Sequence, residues 1–80
     1  MDPYLGQILL FPYSYTPEGW VRCEGQTLSI QQNAPMFSLF GTTFGGDGQT
    51  NFALPDLRGK EPLPDLHYCI AVNGSYPNRS

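Results

Sequence analysis

The sequence predicts a small β-rich α+β domain with short strands, one short helix and a long, ordered glycine-rich loop. Residues 40–59 contain five glycines with two aromatic residues set between them and close on Leu-Pro-Asp-Leu-Arg-Gly. Glycine and proline interrupt both helices and strands, so this stretch must be a shaped loop. Short apolar runs flank the loop, and only one segment carries helix-start and helix-stop signals. The flanking segments are therefore expected to be the walls that hold the loop.

The chain has 80 residues, which makes one domain, residues 1–80, with a core over about 6–72 and a short C-terminal tail over 73–80. A domain this small buries only roughly 60% of its unfolded surface. Extra support is expected from a disulfide, a metal or burial against other copies of the chain.

The first strand signal lies in residues 7–15, where Ile8, Leu9, Leu10 and Phe11 are consecutive apolar residues. Consecutive apolar residues in a strand place hydrophobic groups on both faces. One face can meet the core, whereas the other needs a second layer for which the chain has little material. This strand therefore indicates a partner subunit.

A turn over residues 16–19 leads to an alternating segment, 20–24, which predicts a second strand. Val21 and Cys23 share one face of it, and Trp20, Arg22 and Glu24 share the other. The chain then turns into residues 27–30.

A helix is predicted over about residues 34–40. Asn33 is its expected N-cap, Pro35 lies in its first turn and Gly41 stops it. Four apolar residues cover most of its circumference, so it must pack on more than one side. They are Met36, Phe37, Leu39 and Phe40.

After the loop, an extended piece over 51–54, a sharp turn and a proline-bearing connection over 60–65 precede the last strand, 67–72. We expect the loop side chains Phe44, Phe52, Leu54 and Leu57 to be anchors in the core. The strands of Trp20 and Tyr68 and the helix are the expected walls.

Charge and composition exclude several classes of protein. The net charge is −3 and the four basic residues are scattered, so nucleic acid is not an expected partner. No apolar stretch reaches the ~20 residues of a membrane span, and the first residues lack the basic start of a signal peptide. Only 14% of residues are charged and 14% are aromatic, a composition typical of an interaction surface.

Cys23 and Cys69 leave two alternatives open. A disulfide between them would close a loop of about 47 residues and add roughly 4 kcal/mol of stability. The alternative is two small buried apolar residues that are thiols.

Neither catalysis nor a strong metal site is signalled. His67 is the only histidine, and none of the acidic residues stands at catalytic spacing from a histidine or a cysteine. No cofactor and no enzyme activity are expected. Asp47 and Asn51 are weak candidate calcium ligands, since Arg58 stands where a calcium loop needs its bidentate Glu. An Asp47 that bonds its own backbone is favoured. Asp56 and Arg58 are expected to fix the exit of the loop.

Four blocks of the chain together resemble the bacteriophage tail collar domain, as found in phage short tail fibres and bacterial microcystin-dependent proteins. The blocks are Gly6-Gln7-Ile8 with Phe11, Pro17-Glu18-Gly19-Trp20 with Cys23-Glu24-Gly25, residues 39–48, and residues 52–59. The residues that carry the motif are Trp20, Gly45, Gly46, Asp47, Gly48, Leu54, Pro55, Asp56, Leu57, Arg58 and Gly59. In such relatives a longer segment follows the last block, where only 60–65 stands here. The resemblance therefore implies assembly rather than receptor binding.

These observations predict a non-enzymatic structural subunit that self-assembles into a phage-tail-fibre-like or extracellular filament, as a trimer or a helical array. The protein is then extracellular or virion-associated. The expected subunit-interface residues are Ile8, Leu10, Phe11, Tyr13, Tyr15, Met36, Phe40 and Phe44. The alternative is a surface glycan- or receptor-binding module that uses Tyr13, Tyr15, Trp20 and Tyr76 as platforms.

Overall fold

A computed structural model describes residues 3–77 and confirms the predicted β-rich α+β class. Within this range the elements follow in the order β1 (Ile8–Phe11), β2 (Trp20–Arg22), β3 (Thr27–Ser29), α1 (Ala34–Phe40), β4 (Asn51–Ala53) and β5 (His67–Ala71). Among these residues no helix is long and apolar enough to cross a membrane. The predicted tail continues past residue 77, outside the described residues.

The strands form two antiparallel sheets. One has the order β1-β5-β2, and the other pairs β3 with β4. Strand β5 is the central strand, with β1 on one side and β2 on the other, and it carries the buried run Cys69, Ile70 and Ala71. Ile8 and Val21 lie opposite Ile70 on its two sides, which fixes the register of the sheet.

The core lies between the inner face of the three-stranded sheet, the helix and the end of the glycine-rich loop. Its buried members are Leu5, Cys23, Met36, Phe52, Leu54 and Ile70. Val21 and Tyr68 pack against this cluster, whereas Trp20 and Arg22 do not belong to it. The predicted alternation in the second strand is thus confirmed, although the strand ends at Arg22.

Helix α1 has the predicted bounds, but its N-cap differs from the expectation. The Asn33 side chain makes no cap hydrogen bond and instead donates to the carbonyl of Ser29 at 3.0 Å. At the other end Gly41 has a φ of 56° and donates its N–H to the Phe37 carbonyl at 2.7 Å. The left-handed φ explains why glycine ends the helix.

Strand β1 is shorter than the extended segment predicted over 7–15. It ends at Phe11, which lies opposite His67, the first residue of β5. Tyr13 and Tyr15 follow outside the strand, where they still stack on the rings before them.

The two ends of the described chain lie side by side. Tyr4 and Ser75 form a parallel bridge, in which the Leu5 N–H donates to the Ser75 carbonyl at 2.8 Å and the Ser75 N–H donates to the Pro3 carbonyl at 2.9 Å. Gly74 lies so close to the Pro3 carbonyl that a Cβ there would collide with it.

Candidate interaction surface and glycine-rich loop

The glycine-rich loop is part of the core. Phe52 and Leu54 are completely buried, and the Phe52 ring centroid lies 5.6 Å from that of Phe37 on the helix. The Ala53 N–H donates to the Gly45 carbonyl, and the Gly48 N–H donates to the Asn51 carbonyl, both at 3.0 Å. These bonds fold the first half of the loop onto β4.

One expected anchor of the loop differs in the structure. Phe44 was predicted to be a core anchor, but its side chain is 45% exposed and only meets the ring of Phe40, edge to face, at 6.0 Å. The strand of Trp20 is a wall as predicted, since Val21 packs against the core and Cys23, just after β2, belongs to it, while Trp20 itself lies on the other face of the sheet.

Asp47 holds the turn of the loop. Its Oδ1 accepts the N–H groups of Gln49, Thr50 and Asn51 at 2.8 to 3.0 Å, and its Oδ2 accepts the Thr50 hydroxyl at 2.7 Å. The backbone hydrogen bonds, that of Asn51 first, hold the pKa of this carboxyl well below its usual range.

The side-chain oxygens of Asp47 and Asn51, the weak calcium candidates, accept hydrogen bonds within the loop. Asn51 Oδ1 accepts the Asp47 N–H at 2.9 Å, and both Asp47 oxygens already accept hydrogen bonds. Residues 3–77 hold no group of three or more His, Cys, Asp or Glu side chains that could bind a metal ion. The geometry is that of a carboxylate held by amides, which favours the turn-holding role.

The exit of the loop is held by a bidentate ion pair. Arg58 donates from Nε to Asp56 Oδ1 at 2.9 Å and from Nη2 to Asp56 Oδ2 at 2.7 Å. The side-chain bonds from Arg58 lower the pKa of Asp56 to about 2, and Asp56 raises the pKa of Arg58. The Leu57 N–H donates to the Cys23 carbonyl at 2.9 Å, which ties this exit to the end of β2.

Cys23 and Cys69 are free, buried thiols, so the candidate disulfide is not formed. The Cys23 N–H donates to the Tyr68 carbonyl, and Arg22 lies opposite Cys69. Because side chains alternate along a strand, the two cysteines point to opposite faces of the sheet, and a bond needs their Cβ atoms on one side. Burial raises the pKa of Cys23 to about 11 and also raises that of Cys69.

An aromatic surface covers the face of the three-stranded sheet opposite the core. We call it the outer face and define it by Leu9, Phe11, Tyr13, Tyr15 and Trp20. The Phe11 ring lies 5.0 Å from Trp20, edge to face, and 5.9 Å from Tyr13, and Tyr13 stacks on Tyr15 at 5.1 Å. Leu9, Tyr13 and Tyr15 are 41%, 42% and 64% exposed.

Arg22 holds residues 13–15, the segment with the two stacked tyrosines, on the outer face through a hydrogen bond. Its Nη2 donates to the carbonyl of Ser14 at 2.8 Å, between the two stacked tyrosines. This bond crosses from β2 to the segment that follows β1, so it fixes the chain that carries both rings. A backbone carbonyl does not neutralise a guanidinium, so Arg22 places one positive charge beside the aromatic rings.

The predicted interface residues fall into three places. Phe11, Tyr13 and Tyr15 lie on the outer face, and Phe40 and Phe44 pack together beside the loop. Ile8 and Leu10 lie on the edge strand β1. Met36 was wrongly assigned to an interface, since it is 1% exposed and lies inside this chain's own core.

Leu9 and Tyr76 also differ from what the sequence predicts for the surface. Leu9 was missed as a candidate, although the uninterrupted apolar run of β1 was the signal for it. Tyr76, one of the proposed glycan platforms, lies away from the others, and its hydroxyl shares a 2.7 Å hydrogen bond with that of Ser38 on the helix.

The fold is thus a small β-rich domain in which the glycine-rich loop is part of the core and aromatic rings lie on the outer face of the three-stranded sheet. The chain belongs to the phage tail collar domain family, whose family model, Phage Tail Collar Domain, matches residues 6–62. None of the curated proteins compared with the chain matches it. Membership of this family indicates a structural domain of phage tail fibres, and so a virion-associated protein.

Proposed function

We propose that the protein is a non-enzymatic subunit that self-assembles with identical copies into a tail-fibre-like or filamentous structure. The observation that carries this proposal is the three-stranded sheet with two apolar faces and one core. Its inner face is covered by the helix and the loop, and its outer face is covered only in part by its own aromatic side chains.

The outer face has the chemistry of a contact surface. Exposed aromatic rings bury large areas at low cost in side-chain entropy, and contiguous apolar patches on small domains mark interaction sites. Residues 3–17 carry no charged side chain, so this aromatic segment brings no charge of its own into a contact between copies, and the nearby Arg22 donates to its Ser14 carbonyl. A domain of 80 residues has a small core, so burial of the outer face against other copies would add to its stability.

The proposal is tested by light scattering and electron microscopy of the purified protein over a wide range of concentrations. Self-association gives species heavier than the 8.9 kDa chain, seen as fibres or discrete rings. A monomer at every concentration contradicts the proposal. The Tyr13→Ser, Tyr15→Ser double variant should weaken assembly. The control Tyr4→Ser, at a tyrosine outside the outer face that is about as exposed as Tyr15, should not.

A second candidate function, binding of a surface glycan, has one specific observation in its favour. Tyr13 and Tyr15 stack within 12° of parallel, and the flat side of an exposed aromatic ring suits the apolar face of a sugar. Binding of a glycan array by the monomer, lost in the same double variant, would support this function. Assembly without glycan binding would contradict it.

A further inference from the structure

Strand β1 is an edge strand with an open row of backbone groups. The sheet order β1-β5-β2 leaves one side of β1 without a strand partner in residues 3–77. An edge of this kind is a template for pairing with another strand, and it is usually guarded by Lys, by Pro or by a bulge. Residues 8–11 are Ile, Leu, Leu and Phe, and the first guard on the C-terminal side is Pro12.

The register shows which groups point outward. The Cys23 N–H bonds the Tyr68 carbonyl and the Val72 N–H bonds the Gly19 carbonyl, so residues 68, 70 and 72 turn their backbone groups toward β2. By alternation, Cys69 and Ala71 turn theirs toward β1. Leu9 lies opposite Cys69, so Leu9 bonds β5, while Ile8 and Leu10 present their N–H and C=O to the open side.

The open N–H and C=O groups of two β1 strands can pair with each other. In an antiparallel pairing of two β1 strands about a two-fold axis at Leu9, Ile8 of each copy lies opposite Leu10 of the other. Each such pair exchanges two N–H···O=C bonds, so four bonds satisfy all eight open groups. Moving the axis to Leu10 instead sets Ile8 opposite Pro12, which has no N–H, and leaves the Ile8 carbonyl unpaired.

We propose that β1 pairs edge to edge with β1 of a second copy in this register. The pairing makes one continuous six-stranded sheet and brings the two Leu9 side chains together on its outer side. Ile8 meets Leu10 on the other side of the sheet. All of these residues are uncharged, and Ile8 and Leu9 are among the exposed large apolar side chains. The contact is isologous.

This inference rests on the proposed self-assembly and names the contact that begins it. In an isologous pair both β1 edges are bonded to each other, so a longer fibre needs a second contact. The tyrosines of the outer face remain exposed for that contact. The paired unit, not the single chain, is then the building block.

The test is residue-resolved amide hydrogen exchange as a function of protein concentration. Leu9 and Phe11 N–H groups, bonded to β5, should be protected at all concentrations. Ile8 and Leu10 N–H groups should exchange freely in dilute solution and at least about tenfold more slowly once copies associate. Leu9 and Phe11 serve as the internal reference in every sample.

A proline variant provides the mutational test. Leu10→Pro removes an outward N–H and leaves the bonds to β5 in place, so the fold should persist while the dimer dissociation constant rises at least about tenfold. Leu10→Ala, which keeps the N–H, is the matched control and should change it less. Circular dichroism checks that both variants fold, and the exchange test needs no variant.

Two outcomes overturn the inference. If the protein assembles while the Ile8 and Leu10 amides exchange as freely as in dilute solution, the β1 contact is wrong and self-assembly stands. If the protein is monomeric at every concentration, the contact and the proposed function both fail.

Discussion

A Cβ atom built on Gly46 would lie 2.5 Å from the Cα of Phe52, the most deeply buried aromatic residue of the core. Gly46 has a φ of 94°, a conformation that side chains rarely adopt. The glycine is therefore required twice, by its own backbone angle and by the backbone that passes against it. At this contact the backbone of the loop packs directly against the backbone of a core residue.

We expect Gly46→Ala to destabilise the domain by more than about 2 kcal/mol, because the positive φ and the backbone collision act together. Gly59→Ala is the matched control, with a φ of 82° but no neighbouring atom within 4 Å of the added Cβ. It should cost about 1 kcal/mol. Urea unfolding measures both, and equal losses would show that the contact with Phe52 contributes nothing.

Phe52 and Phe44 should respond very differently to the same truncation. Phe52→Ala leaves a cavity in the core and should cost about 3–5 kcal/mol, enough to unfold a small domain. Phe44→Ala, at an exposed ring, should cost under about 1 kcal/mol. Thermal unfolding distinguishes the two, and a similar loss at both positions would place Phe44 in a contact that the single chain does not show.

Acid should destabilise the loop through Asp47 and Asp56. Both carboxyls have pKa values lowered in the fold, that of Asp56 to about 2, so their contribution is fully present above an unfolded pKa of about 4. It is lost as the pH falls from about 4 toward the folded pKa values. Unfolding free energy measured from pH 7 to pH 2 should decline in this window.

The variants Asp47→Asn and Asp56→Asn should each reduce that decline. Asp65→Asn is the charge-matched control, since among residues 3–77 its carboxylate accepts no hydrogen bond and its φ of 66° suits asparagine. Both aspartates of the loop are exposed, so the effects are modest and salt-dependent. An unchanged pH profile in both variants would assign the acid sensitivity to other groups.

The cysteines should remain thiols in the native protein. Alkylation of denatured protein without reductant should add two groups, one each at Cys23 and Cys69. In the native fold both should resist reagent at pH 8, because they are buried and the raised pKa values leave little thiolate. A mass that changes only after reduction would show a disulfide and require the register of β5 to differ.

Local chemistry made the helix and the second strand predictable from the sequence. Pro35 and Gly41 mark the ends of α1 through constraints on single residues, and the alternation from Trp20 to Cys23 is read directly as two faces. The same local reasoning placed Asp56 and Arg58, two residues apart, at the exit of the loop, although only the structure shows that they pair with each other. The carboxylate of Asp47 bonding its own backbone belongs to this group as well.

Features that depend on register could not be read in this way. Whether Cys23 and Cys69 share a face depends on a shift of one residue between β2 and β5, which no local pattern encodes. The burial of Met36 is similar, because an apolar helix shows that several sides are covered but not by which chain. Phe44 was misplaced since a glycine-rich loop carries no period from which the direction of a ring follows.

The parallel bridge between Tyr4 and Ser75 bears on how the domain carries tension. The two segments run in the same direction, so opposite pulls at residues 3 and 77 slide them past each other and load both hydrogen bonds at once. A pull of this kind passes from Pro3 to Ser75 without crossing the sheet or the loop. Single-molecule pulling at these two sites should show one early, small rupture before the core opens, and Ser75→Pro, which removes one bonded N–H, should abolish it.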